Sequence, residues 1–304
     1  MSVAIAGLFA LLAVLTAVYI WVWYHEARPA GDAAAGVETP DRGRPDAERI
    51  AVGFFANFFD ALGIGSFATS TTYFRLRRMV RDELIPGTLN TGHCLPTVTQ
   101  AFIGIAVIEV EVTTLVLMIV TAVAGAWFGA GVVSRMPRRA IQIGMGLALL
   151  IAAGFMFAKV TGAMPSAETG KLGLSGPLLA IGLVGSFFLG TIMPLGIGYY
   201  APCMVLVSLL GMNSRAAFPI MMGACAFLMP MAGMQFIRKR RYSLRATLGL
   251  AIGGVFGSAL ALLVVKSLPL YYVKWLVTVV VIYTGVSLLL TARREWRTST
   301  AGGA

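Results

Sequence analysis

Two pairs of polar residues stand inside otherwise apolar stretches of this 304-residue chain. Asn57 and Asp60 lie one helical turn apart, and Asn90 and His93 repeat that spacing in the next apolar run, with Cys94 and Gln100 behind them. Residues at i and i+3 share a helix face. Ionisable and amide side chains are expensive in hydrocarbon, so within such runs they are functional candidates. Two chemistries fit Asp60: it carries a coupling proton, or it caps N–H groups freed by a chain break beside it. His93 also has two. Its imidazole could titrate near neutral pH and relay a proton, or it sits neutral against a backbone carbonyl.

Glycine sets the chemistry after Asp60. Gly63-Ile64-Gly65 interrupts the first run, and Ser66, Thr69, Ser70, Thr71 and Thr72 follow it. Gly196-Ile197-Gly198 interrupts a later run just after Pro194, with Tyr199, Tyr200 and Pro202 behind it. Glycine permits positive φ and close backbone approach, and a broken helix releases N–H and C=O groups that need partners. Half-helices whose N-termini face a cavity present donors and positive dipole ends, which favour an anion. The expected binding residues are Asn57, Gly63, Gly65, Ser66, Thr69, Asn90 and His93 from the first region, with Gly196, Gly198, Tyr199 and Tyr200 from the second. Asp60 and His93 are the proton-coupling candidates. A carboxylate at Asp60 would repel an anion unless protonated or paired. The plainer alternative is that the small residues only let helices pack closely.

The elements that must hold these residues are membrane helices. Hydrophobic residues make up 58% of the chain and charged residues 12%, with a mean hydropathy of +0.83, too few charges to cover a water-soluble surface. The net charge of +11 is carried in short basic clusters between apolar runs, which the positive-inside rule explains without nucleic acid. Residues 1–24 form an apolar stretch with no basic residue before it, read as a retained transmembrane helix with its N-terminus outside. Residues 25–49 read as a solvated cytoplasmic linker. Apolar runs follow at 50–74, 84–108, 112–133, 140–160, 172–210, 216–237, 244–265 and 270–291, most of them near the span of a bilayer. The run 172–210 is too long for one helix.

The basic clusters fall on a single face only if each broken run starts and ends on the same side. That gives an all-α polytopic membrane protein of two inverted-topology repeats, 50–160 and 172–292. Each holds a glycine-broken re-entrant hairpin and three spanning helices, and a cytoplasmic tail follows at 293–304. Broken helices at matching places in two halves point to a transporter site. One ordinary helix per run, with a looser charge bias, is the alternative.

The stretch from Asn57 through Asp60, Gly63-Ile64-Gly65 and Ser66 to Thr69, continued by Leu84 through Pro86, Gly87 and Asn90 to His93, resembles the TauE/SafE family of sulfite-exporter-like permeases. The resemblance spans roughly residues 50–292, with Gly196-Ile197-Gly198 as the second-half break. It implies a polytopic permease of the cell membrane that moves small anions such as sulfite or sulfonates, outward. Ser66 stands where the family often has a third glycine. The second half has Leu189 or Gly190 near the place of Asp60, and Ala224 or Ala226 near that of His93. These departures mark a divergent member.

No P-loop pattern is present, no cofactor or metal is expected, and the fifteen methionines lack the histidines of a copper path. Cys94, Cys203 and Cys225 sit in apolar runs without metal or disulfide spacing. A membrane sulfur-relay protein using those thiols and a passive anion channel are the rival functions. The expected partners are a small anion and the lipid bilayer.

Overall fold

The computed structural model describes residues 3–27, 44–62, 65–163, 171–195, 198–213 and 216–264, with short pieces of 275–293. Among them all regular structure is helical: α1 (Val3–Ala27), α2 (Ala47–Ala61), α3 (Ser66–Leu76), α4 (Ile85–Gly92), α5 (Cys94–Val107), α6 (Val112–Val133), α7 (Arg138–Val160), α8 (Gly176–Ile192), α9 (Tyr200–Leu209), α10 (Ala217–Arg238) and α11 (Leu244–Val264). Five stretches are long and apolar enough to cross a membrane: Ile5–Glu26, Val112–Val133, Gly176–Leu195, Ala217–Arg238 and Leu244–Leu263. This is the make-up of a multi-pass membrane protein. The last apolar run, 270–291, and the tail lie largely outside the described residues.

Both broken runs are split into helix pairs. α2 and α3 fold against each other, and Glu48 near the start of α2 accepts from the Tyr73 hydroxyl (2.9 Å) and Arg77 Nε (2.8 Å) near the end of α3. The α8–α9 pair is tied similarly, since the Asn213 N–H beyond α9 donates to the Lys171 carbonyl ahead of α8 at 2.9 Å. The run 84–108 is not one helix. It bends at His93 into α4 and α5, because Pro96 has no N–H to return to the Gly92 carbonyl. The linker also ends earlier than its composition implies: Asp46 caps α2 by accepting from Arg49 N (2.9 Å), and α2 starts at Ala47.

Burial locates the centre. Of its candidate span, α10 buries 89%, while α1 buries 22% and shows Leu11, Val14, Val18 and Trp21 to its surroundings. α10 packs on α6, α5, α4 and α1; α11 packs on α2 and α5; and α8 packs on α6. The two outer pairs approach closely through small residues. A Cβ on Gly253 of α11 would collide with the Ile50 carbonyl of α2, and one on Gly129 of α6 with the Thr191 carbonyl of α8. Such contacts draw helices together where lipid gives no hydrophobic drive.

The bundle has two chemically distinct ends. At one, Asp46 pairs with Arg49 (2.5 Å) and Arg245 (3.3 Å), Arg75 with Asp82 (2.7 Å), and Lys239 Nζ donates to Ser134 Oγ (2.6 Å). At the other, Glu111 caps α6 through the N–H groups of Thr113 (2.9 Å) and Thr114 (2.6 Å), while its own N–H donates to Leu172 O. Partial burial pushes the Glu111 carboxyl up, but the hydrogen bonds from Thr114 and Thr113 outweigh it and hold its pKa at about 2.

Candidate functional site

The first break is closed by a side chain from the helix before it. Gly65 precedes α3 with φ of 96° and brings no capping side chain. The orphan N–H of Ser66 is met by Asp60, whose Oδ1 accepts it at 2.7 Å. A carboxylate there satisfies a terminal donor and faces the positive end of α3. Of the two roles open for Asp60, capping is the one this geometry contains. Thr69 Oγ1 turns back to the Ser66 and Gly65 carbonyls, at 2.9 and 3.1 Å.

Beside it, His93 joins three elements from the α4–α5 bend. Nδ1 lies 3.0 Å from Asn57 Oδ1 on α2, and Nε2 lies 3.1 Å from Ser70 Oγ on α3. Asn57 Nδ2 donates to the Gly53 carbonyl at 2.8 Å, so its oxygen is the acceptor for His93. That bonding assigns the ring proton to Nδ1 and leaves Nε2 to accept from Ser70, which is a complete set for a neutral imidazole. The partners are side chains and not the backbone carbonyl expected for a buried neutral histidine.

At the second break Gly198 has φ of 75°, and the described chain resumes there before α9. Tyr199 turns away from the first break. Its hydroxyl lies 2.6 Å from Ser186 Oγ on α8, which donates to the Met118 carbonyl of α6 at 2.7 Å, so Tyr199 is the donor to Ser186. Tyr200 turns the other way and donates to Gln100 Oε1 on α5.

The two breaks therefore meet. Gln100 Nε2 donates to Asp60 Oδ2 and to Ser258 Oγ of α11, each at 3.0 Å, so one carboxamide links the start of α9 to the end of α2. Asn90 Nδ2 donates to the Pro194 carbonyl beside the second break at 3.3 Å and to Pro86 O at 2.7 Å. Its Oδ1 is buried without a partner. A Cβ on Gly198 would lie 3.9 Å from the Phe67 Cβ, and the Phe67 ring tilts over His93 with centroids 5.6 Å apart.

Asn57, Asp60, Ser66, Asn90, His93, Tyr199 and Tyr200 are thus buried at or beside the junction, Thr69 is half-buried, and Gly65 and Gly198 take the positive φ expected of them. Gly63 and Gly196 lie outside the described residues. Three further side chains hold the arrangement together: Ser70, Ser186 and Ser258. The last two are lone serines in apolar helices, a signal as faint as any packing serine. Gln100 stood out as polar, but nothing in its spacing told what it would join. No arginine or lysine pairs with Asp60 among the described residues. Cys94, Cys203 and Cys225 are free and buried, with Cys94 beside the Tyr19 hydroxyl. The chain matches no protein-family model, no curated protein and no solved structure.

Proposed function

We propose that the protein is a secondary membrane transporter of a small solute, working by alternating access around the junction of its two helix breaks. The observation that carries this reading is the junction itself. Two breaks far apart in the sequence come together in the interior, tied by Tyr200–Gln100–Asp60 and Asn90–Pro194. Buried polar side chains and interrupted backbone are costly in an apolar bundle, and a solute path is the use that accounts for both.

The packing supports reading the halves as inverted repeats. α2 lies on α11 as α8 lies on α6, and α10 packs on α6 as α5 packs on α11. Exchanging α2, α5 and α6 for α8, α10 and α11 maps this set of neighbours onto itself. The α2–α3 pair opens at the arginine-rich end, and the α8–α9 pair opens beside Glu111 and Leu172. By the positive-inside rule the arginine-rich end is cytoplasmic. α1 runs with Phe9 against Phe102 and Tyr19 on the Thr91 carbonyl, contacts that support an outside N-terminus under that orientation.

The resemblance to sulfite-exporter-like permeases makes a small anion, sulfite or a sulfonate, the cargo of this proposal, carried outward. Asp60 already occupies the Ser66 N–H, and the N–H groups of Asn57, Asn90, His93 and Gln100 are engaged, so an anion would displace one of these partners or take the unpartnered hydroxyls of Thr71 and Thr72 on α3. Proton coupling follows physically: an anion tolerates Asp60 only when the carboxyl is protonated. Purified protein in liposomes loaded with labelled sulfite tests this. Efflux accelerated by sulfite on the far side and by a pH gradient is expected. Flux indifferent to both would make the protein a channel. No flux of sulfite or simple sulfonates, with thiol-dependent product instead, would favour the sulfur relay.

A further inference from the structure

We infer that Gln100 is a two-position relay that reports the protonation of Asp60 to Tyr200 across the two breaks; the inference rests on the transporter reading but concerns hydrogen bonding that exists without it. All the polar capacity of Gln100 is directional here. Nε2 gives its two protons to Asp60 Oδ2 and Ser258 Oγ, and Oε1 receives the Tyr200 proton. This pattern uses Asp60 Oδ2 as an acceptor, the role of a carboxylate oxygen. A proton arriving on Oδ2 and directed at Gln100 would set O–H against N–H, two donors face to face in a buried site.

Rotating the carboxamide by half a turn removes that conflict with no movement of backbone. Oε1 then accepts from protonated Asp60 and from the Ser258 hydroxyl, both of which can donate. Nε2 turns to the Tyr200 oxygen and donates to it. The proton balance is closed: one proton enters from water onto Asp60, none leaves, and the Tyr200 hydroxyl hydrogen is released from Gln100. Tyr200 then offers a donor at the first turn of α9, where an oxyanion at the second break would need one. With Asp60 ionised that donor is held by Gln100. One flip thus withholds or presents a ligand in the second half according to a charge in the first.

The groups around Asp60 permit the flip to be read from it alone. From α3 it faces the Ser66 N–H, from α5 Gln100, from α9 Tyr200, from α10 the Cys225 thiol, and from α11 Ser258. His93 is engaged separately by Asn57 and Ser70.

Infrared difference spectra of the full chain in lipid, titrated over roughly pH 4 to 9 with isotope-labelled tyrosine, test the relay. In the wild type, one carboxyl band and one tyrosine band should change together at the same midpoint. Asp60→Asn should remove both changes. In Gln100→Leu the carboxyl should still titrate while the tyrosine band stays fixed. Tyr200→Phe, which keeps the ring and its packing, should delete the tyrosine change and leave the carboxyl change, and it serves if Gln100→Leu does not fold. A tyrosine band that still follows pH in Gln100→Leu or Tyr200→Phe overturns the relay. So does a wild-type carboxyl that titrates without any tyrosine change, or none that titrates. Coupled bands without sulfite flux would refute the transport reading and leave the relay standing; sulfite flux without coupled bands would do the reverse.

Discussion

The two breaks share a backbone solution and differ in what closes them. Each resumes from a glycine with positive φ, at Gly65 and Gly198. The first is closed from within its own half, by Asp60 on Ser66 and by Asn57, His93 and Ser70 on one another. The second borrows in part. Its Pro194 carbonyl is met by Asn90 and its Tyr200 by Gln100, both from α4 and α5, while Tyr199 donates to Ser186 of its own α8, which in turn reaches the Met118 carbonyl of α6. The only acid at the junction, among the described residues, belongs to the first half. Two breaks that both resume from a positive-φ glycine can therefore carry different chemistry, an acid beside the first and tyrosine hydroxyls beside the second.

The strongest way to break the comparison is to test whether the supporting helix pairs are equivalent. Gly253→Leu and Gly129→Leu each drive a side chain into a facing backbone carbonyl. Each should cost more than about 4 kcal/mol and abolish monodisperse protein on size exclusion. If only one variant is lost, the α2–α11 and α6–α8 pairs are not counterparts. Next in size is Asp60→Leu, which strands the Ser66 and Gln100 donors. It should cost about 2–3 kcal/mol in thermal unfolding. Asp60→Asn keeps an acceptor and should leave the melting point nearly unchanged while removing the response of flux to a pH gradient. Retained pH coupling in Asp60→Asn would rule the residue out as the proton carrier.

Smaller effects sharpen the likeness of the breaks. Gly65→Ala and Gly198→Ala should each cost about 1–3 kcal/mol, because the added Cβ meets no close contact and the penalty is the backbone conformation alone. A much larger loss at Gly198 would mean that the second break is held more tightly than the first. The smallest effects lie at the two ends. Hydrogen bonds from Arg77 and Tyr73 depress the Glu48 carboxyl below its usual 4.5, as those from Thr114 and Thr113 depress Glu111 to about 2. A depressed carboxyl contributes stability that is present above the unfolded value and lost as pH falls through the folded one. Stability should thus decline as pH drops from about 4.5 towards 2, and Glu111→Gln should flatten that decline more than Glu48→Gln in acid unfolding curves.

Much of this was legible before any coordinates. Apolar length alone marks α1, α6, α7, α10 and α11, and Gly-Ile-Gly marks both interruptions, because glycine and proline act through the local backbone. The bend at His93 does not show in the apolar pattern, although Pro96 three residues on carries its signal. The capped start of α2 is hidden as well, since Asp46 belongs by composition to the polar linker. The partners of Asp60 and Tyr200 could not be read at all. Gln100 and Ser258 are ordinary residues whose importance comes from what other helices bring to them.

The apolar solvent, the helical class and the places where helices must break are all written in local sequence. These follow from hydropathy and from backbone freedom, which are properties of short stretches. That the breaks meet, that Asp60 caps α3 and that a single glutamine spans the junction emerge only from the packed bundle. Hydrogen bonds between distant helices depend on which faces pack together, and packing is settled by the whole bundle at once.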